Sequence, residues 1–256
     1  MRILYHTPES VCSQKARIGF AEIGLEFRSH IVDFAAGEQF TEAFRKLNPD
    51  AVVPVLDDDG IVVRESSLIL EYADERYNDG NLMPKGVGDR AVAKLWLIRA
   101  LGIHNAINSV TFATTIREMD RKRTKEEREA RWARLPDPAI AKKRRDLFEH
   151  GLDSVHVRSA LRLLQILAQD IDRRAKDDGW LAGTKYSLAD TAMTAYVDRL
   201  ERIGLHILWQ ELPHLSDWLE RVRARPSYAT AIAAWIAPLP SAAEKARKEI
   251  VWRSVT

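Results

Sequence analysis

Strand and helix signals alternate up to Tyr77, and beyond it only helix signals continue. Arg2 to Tyr5 reads as a short strand and His6 to Glu9, with Pro8, as a loop. Ser10 to Ile23 reads as a helix, with Ala16, Phe20 and Ile23 at helical spacing and Gly24 ending it. Phe27 to Val32 is a second strand and Glu38 to Leu47 a second helix, closed by Asn48-Pro49. Val52 to Leu56 and Ile61 to Val63 flank Asp57-Asp58-Asp59-Gly60, a hairpin signal. Ser66 to Tyr77 is a third helix, with Leu68, Ile69, Tyr72 and Ala73 along its apolar stripe. Two strands joined through a helix pair in parallel, and the hairpin adds an antiparallel pair. One small mixed sheet with three helices is the expected result.

Asn78-Asp79-Gly80-Asn81, with Pro84 just after, is the best linker in the chain. Asp89 to Phe112 then reads as a long helix. Ala160, Leu164, Leu167 and Ile171 mark another, and Leu188 to Ile203 and Leu215 to Ala224 two more. At 256 residues the chain exceeds the usual single domain. An α/β domain over residues 1–80 and an all-α domain over 85–256 are expected.

Charge and cysteine content exclude several classes. Net charge is +2, and the basic clusters Arg121-Lys122-Arg123 and Lys142 to Arg145 are interspersed with acids, so 117–149 reads as a solvated helical excursion and no nucleic-acid partner is expected. The single cysteine, Cys12, excludes an internal disulfide and a cysteine-based zinc cage, and no metal site is expected. No apolar run approaches the roughly 20 residues that span a bilayer. The N-terminus runs straight into a strand without a signal-peptide pattern, so a cytoplasmic protein without membrane partners is expected.

Four local features bear on chemistry. Pro8-Glu9-Ser10-Val11-Cys12-Ser13 falls where the first helix starts, and a helix N-terminus with free N–H groups stabilises an anion such as a thiolate. Ser10 and Ser13 are equally ordinary helix caps. Pro54 after Val53 is either an edge-strand proline or a cis bond that frees the Val53 backbone for a peptide-like ligand. Glu65-Ser66 is either a cap with a neighbouring surface acid or a clamp for an ammonium and a carboxylate. Ser187 and Asp190 are spaced as a structural capping box.

In this order the residues resemble the cytosolic glutathione transferase superfamily, over nearly the whole chain. Ser10 to Arg17 looks like its active-site turn and first helix, Leu47-Asn48-Pro49 through Val53-Pro54-Val55-Leu56 like its Asn-Pro and Val-Pro segment, and Arg64-Glu65-Ser66 like its Glu-Ser motif. Trp180 to Gly183 with Ser187 to Asp190 looks like its helical-domain capping motif, and Pro213, Trp218 and Arg225-Pro226 like its closing pattern. Leu135 to Pro138 and Gly151 to Ser154 resemble bacterial members grouped near the β-etherases.

The resemblance implies a thioredoxin-like N-terminal domain, an all-α C-terminal domain, glutathione as co-substrate, a homodimer and a small hydrophobic electrophile, the chemistry of detoxification. It implies that Val53 binds the cysteinyl backbone of glutathione, that Pro54 is in the cis form, and that Glu65 and Ser66 hold the γ-glutamyl end. Ser10 is the first candidate to hold the thiolate and Ser13 the second. Cys12 is a third candidate through mixed-disulfide chemistry, with a small buried filler as its other reading. Tyr5 reads as strand packing. Val52 stands where many members carry Gln, and Gln39 compensates from the second helix.

The expected reaction is thiolate attack on an aromatic or aryl-ether electrophile. Trp96, Ile103, Asn108, Phe112 and Trp235 are candidate walls of the electrophile site, each weighed against a core role, and His104 is either an acid–base or an ordinary histidine. The alternatives are a glutathione-dependent isomerase, a thiol reductase working through Cys12, and a non-catalytic glutathione- or ligand-binding module.

Overall fold

The computed structural model describes residues 1–253. Its only sheet among them has the order β2-β1-β3-β4, built from β1 (Arg2–His6), β2 (Arg28–Ile31), β3 (Val55–Asp58) and β4 (Ile61–Val63). β1 and β2 are parallel, with Leu4 opposite Ser29, and the other pairs are antiparallel, with Leu4 opposite Leu56 and Leu56 opposite Val63.

Alternation along the strands decides what each face carries. Leu4 and Leu56 pack with Ala16 and Phe20 of α1 (Val11–Glu22) and Ile69 and Ala73 of α3 (Ser66–Tyr77). Tyr5 and Val55, one residue out of phase, pack with Phe44 of α2 (Glu42–Leu47) on the other face. The second helix is shorter than its pattern predicts. Glu38–Phe40 is a separate 3₁₀ turn, because Thr41 turns extended and its hydroxyl accepts the Phe44 N–H at 3.3 Å. Pro54 precedes β3, with a cis bond after Val53.

The helical half starts with α4 (Val87–Thr111) and runs on through a wide turn, Phe112–Ile116, into α5 (Arg117–Arg121). Next come α6 (Lys125–Ala133), α7 (Pro138–His150) and α8 (Val155–Asp178). The remainder is α9 (Leu188–Arg202), α10 (Pro213–Arg223), the short α11 (Pro226–Tyr228) and α12 (Ala242–Arg253). One large core joins α4, α8, α9 and α10, and Val11, Ile18 and Leu70 carry it into the sheet half.

α9 is buried along almost its whole length and stands at the centre. Its capping box is formed in full: Asp190 accepts the Ser187 N–H and hydroxyl, the Leu181 N–H and the Trp218 indole N–H. No helix among the described residues is long and apolar enough to cross a membrane. No cluster of three metal-ligating side chains occurs among them.

Candidate functional site

The turn before α1 is held from behind. Arg17, buried, donates to the Thr7 carbonyl at 3.3 Å and the Pro8 carbonyl at 3.1 Å. The same guanidinium reaches the Ala231 carbonyl at 2.9 Å and lies 4.7 Å from the Trp235 ring. Arg199 of α9 donates to the Glu9 carbonyl at 2.6 Å. Three successive carbonyls are thus tied to guanidinium groups. The N–H groups of Val11 and Cys12, in the first turn of α1, have no acceptor within the helix. That end of the helix offers an anion both N–H donors and the positive end of the dipole.

The two serines divide the work there. Ser13 is fully buried and its hydroxyl oxygen accepts the Thr7 N–H at 3.4 Å, which places it in the framework of the turn. Ser10 is the N-cap, and its oxygen accepts the Ser13 N–H at 3.2 Å. A hydroxyl that accepts one bond still has a proton to donate.

Cys12 is not the small buried filler that one reading of the sequence expects. It is half-buried, and its Sγ lies 3.3 Å from His104 Nδ1 of α4 and 3.8 Å from the Tyr196 hydroxyl of α9. On its other edge, His104 Nε2 meets the Asn108 side chain at 3.1 Å. Burial alone raises the Cys12 thiol. The charge and hydrogen bond of His104, then the Lys15 cation and the Ser66 hydroxyl, outweigh burial and bring it down to about 6.

Lys15 is fully buried one turn further along α1. It donates to Ser67 Oγ at 3.0 Å and to the Tyr196 hydroxyl at 3.5 Å. Burial lowers its pKa, and the negative charges of Cys12 and Glu65 pull it back only in part. Burial, then the Cys12 charge, raises the Tyr196 phenol.

The N-terminus of α3 reaches the same place. Ser66 is buried and interacts with Cys12. Glu65 is exposed, with φ 66° and ψ 112°, a backbone conformation rare for a residue with a side chain. Such a conformation costs about 1–3 kcal/mol and tends to occur where function requires it. A cavity of about 410 Å³ opens beside it, lined in part by Asp50, Arg64 and Tyr72.

The remaining candidates fall in different places. Val53 and Pro54 are buried next to β3. Gln39 is buried in the 3₁₀ turn, and its Oε1 has no partner. Trp96, Ile103 and Phe112 are core side chains rather than walls, Trp96 donating to the Leu181 carbonyl at 3.1 Å. Asn108 is exposed and Trp235 half-buried against Arg17.

The charged excursion is helical, as expected, but it is not solvated throughout. Trp132 is buried, Arg131 donates to the Phe34 carbonyl at 3.0 Å, and Arg134 donates to the Gly37 carbonyl at 3.4 Å. α6 therefore closes back on the loop after β2.

Cys12 and His104 are 92 positions apart, so the sequence does not pair them. Its only signal is local. Cys12 with Lys15, and His104 with Asn108, are spaced three and four apart on single helix faces.

Comparison with known proteins fits this geometry. Residues 9–76 match the profile "Glutathione S-transferase, N-terminal domain", and residues 156–226 match "Glutathione S-transferase, C-terminal domain". The chain is 29% identical over 232 residues to Protein LigF of Sphingobium sp. strain SYK-6, covering 88% of this chain and 90% of that one. The crystal structure of that protein, described as a beta-etherase, superposes with a TM-score of 0.81 at 27% identity over 91% of this chain and 99% of that one. A tetrachloro-p-hydroquinone reductive dehalogenase of Sphingobium chlorophenolicum is 27% identical over 237 residues, covering 89% of this chain and 94% of that one. A theta-class glutathione S-transferase from Xanthomonas axonopodis pv. citri, crystallised with glutathione bound, shares the fold with a TM-score of 0.67 at 22% identity, over 93% of this chain and 99% of that one.

Proposed function

Because this chain belongs to the glutathione S-transferase family, with an N-terminal and a C-terminal domain of that kind, we propose that it attacks an aromatic or aryl-ether electrophile with the thiolate of glutathione. Residues 1–80 bind the tripeptide and residues 85–256 supply the electrophile site. Glutathione is the co-substrate, and its sulfur sits at the first turn of α1, where Ser10 donates to the thiolate. Ser13 and the Arg17 and Arg199 clamps hold the turn. Glu65 and Ser66 take the γ-glutamyl end, Val53 pairs with the cysteinyl backbone beside Pro54, and the free Gln39 oxygen faces the tripeptide.

The observation that carries this reading is the meeting of two helix N-termini, α1 and α3, at one buried cluster facing α4 and α9. Anion-binding ends and a strained acidic residue converge where the two domains join, a usual place for a ligand. The aryl-ether preference rests on the likeness to LigF.

The test is calorimetric titration with glutathione, followed by mass spectrometry of the products from an aryl ether. Binding in the micromolar to millimolar range with a glutathione thioether product is expected. No heat and no product overturns the reading.

The protein works as a homodimer in the cytoplasm. Ile61, Val62 and Leu68 in the sheet half and Leu95, Ile98 and Leu101 on α4 leave large side chains in solvent. Leu95, Ile98 and Leu101 recur every three residues along one helix face. Sedimentation of Ile98→Asp as a monomer, against a dimeric wild type, is the expected result.

A second reading is favoured by one observation, the Cys12 thiol paired with His104 beside the cradle. In it Cys12 works as a thiol reductase: its thiolate attacks a glutathione mixed disulfide and expels the substrate thiol, and a second glutathione frees Cys12 as glutathione disulfide leaves. Loss of disulfide reduction, but not of ether conjugation, in Cys12→Ser separates it from the first.

A further inference from the structure

His104 occupies a position that activation of the glutathione thiol by Ser10 does not use. Its Nδ1 edge meets Cys12 at 3.3 Å, so the ring stands directly over the first turn of α1. Its Nε2 edge meets Asn108 at 3.1 Å, four residues along α4. Asn108 is exposed and His104 half-buried, so this edge lies on the solvent side of the ring. An exposed amide gives way to a substrate oxygen.

Attack on an aryl ether needs more than a thiolate. The bond that breaks leaves its electron pair on an aryloxide, and a phenol of ordinary acidity titrates near 10. Expulsion near neutrality is therefore uphill unless a proton arrives with it.

Lys15 and Tyr196, the other proton donors beside Cys12, face inward, and Glu65 is taken up by the γ-glutamyl end. Lys15 is fully buried and directs two of its three donors to Ser67 and Tyr196. Tyr196 is buried and donates to the Ala100 carbonyl at 3.3 Å. Serine hydroxyls are too weakly acidic. Histidine is the side chain that serves most often as a general acid, and His104 has an exposed neighbour on its Nε2 edge.

We propose that His104 is a catalytic acid, delivering its Nε2 proton to the ether oxygen as glutathione displaces it. This rests on the transferase reading above. The sulfur forms the S–C bond, the C–O bond breaks with its electron pair on oxygen, and the Nε2 proton converts that oxygen to a phenol hydroxyl. The neutral ring then takes up the proton that the next glutathione thiol releases. The sum is glutathione plus ether giving thioether plus phenol. Cys12 fixes the ring edge-on. On the neutral ring Nε2 accepts from the Asn108 Nδ2 amide, and once the ring is protonated the substrate oxygen takes that amide's place.

The experiment compares two electrophiles, each with glutathione. One is an aryl alkyl ether with an unactivated phenol leaving group. The other is 1-chloro-2,4-dinitrobenzene, whose chloride departs without a proton. In His104→Gln the ratio of kcat/KM for the ether to that for the chloride falls about a hundredfold, within the range of acid catalysis. A ratio within threefold of wild type overturns the proposal. A leaving-group series on the wild type gives a second reading that needs no variant: kcat/KM depends only weakly on the pKa of the departing phenol. A steep dependence, the mark of an unprotonated aryloxide, overturns the proposal. Wild type that conjugates the chloride but cleaves no ether overturns the proposal and leaves the transferase reading standing. Wild type that turns over neither overturns both.

Discussion

Asp190 and Cys12 each sit in the first turn of a helix, yet their surroundings are opposite. Around Asp190 every bond is made. One oxygen accepts the Leu181 N–H at 3.0 Å and the Trp218 indole at 2.8 Å, and the other accepts the Ser187 N–H and hydroxyl at 3.0 Å each. Around Cys12 the arrangement stays open on one side. The thiol faces a histidine, the buried Lys15 has hydroxyls rather than carboxylates for its hydrogen-bond partners, and Glu65 nearby has an uncommon backbone conformation. A fully satisfied buried network rigidifies a core. A cluster with shifted titration and an open edge marks chemistry. The first cluster holds the helical domain together, and the second is where we propose the chemistry takes place.

The sharpest way to break this contrast is Asp190→Ala. Four donors lose their acceptor, and stability falls by about 3–5 kcal/mol in denaturant unfolding. Glutathione affinity of the folded fraction stays the same. A loss under about 1 kcal/mol, or a changed affinity, contradicts the division of roles.

The next effect concerns Cys12. Its pKa is lowered to about 6, so thiolate predominates above that pH and is lost as pH falls through it. Iodoacetamide labelling of this single cysteine rises with a midpoint near 6. In His104→Gln the midpoint moves upward, because the largest attraction on the thiolate is gone. A wild-type midpoint in the ordinary thiol range near 8.5 removes the electrostatic half of the comparison.

The smallest effect belongs to the excursion. Gly37 has φ 79°, and an added Cβ lies 2.7 Å from Arg134 Nη1. Gly37→Ala costs about 1 kcal/mol through the left-handed backbone. Its thermal unfolding shifts by a few degrees, with the two clusters untouched.

Much of the fold is legible because local chemistry decides it. The alternation of Leu4 and Tyr5, the helix stripe of Ala16 and Phe20, and the Ser187–Asp190 box each act over a few residues. The second helix breaks early because Thr41, inside the apparent pattern, caps a new start. Trp96 and Ile103 share α4 with His104 and Asn108, with Phe112 directly after it, and periodicity does not say which face meets the core and which the sheet half.

The turn at Ser10 is legible as a helix start, and Ser13 appears equally suited there. Only the packed structure turns Ser13 inward to Thr7. The pairing of Cys12 with His104, and the reach of Arg131 and Arg134 to the loop after β2, depend on how helices far apart in sequence pack.

The central claim is that the first turn of α1 makes a thiolate of bound glutathione with the help of Ser10. Cys12→Ser removes the only thiol of the chain, so the thiolate absorbance of that variant reports glutathione alone. The measurement is this absorbance against pH, with and without Ser10→Ala. The account predicts a bound thiol titrating well below the free one, and a midpoint about 1–2 pH units higher once the hydroxyl is gone. A thiol that titrates like free glutathione, or a midpoint that Ser10→Ala leaves in place, contradicts it.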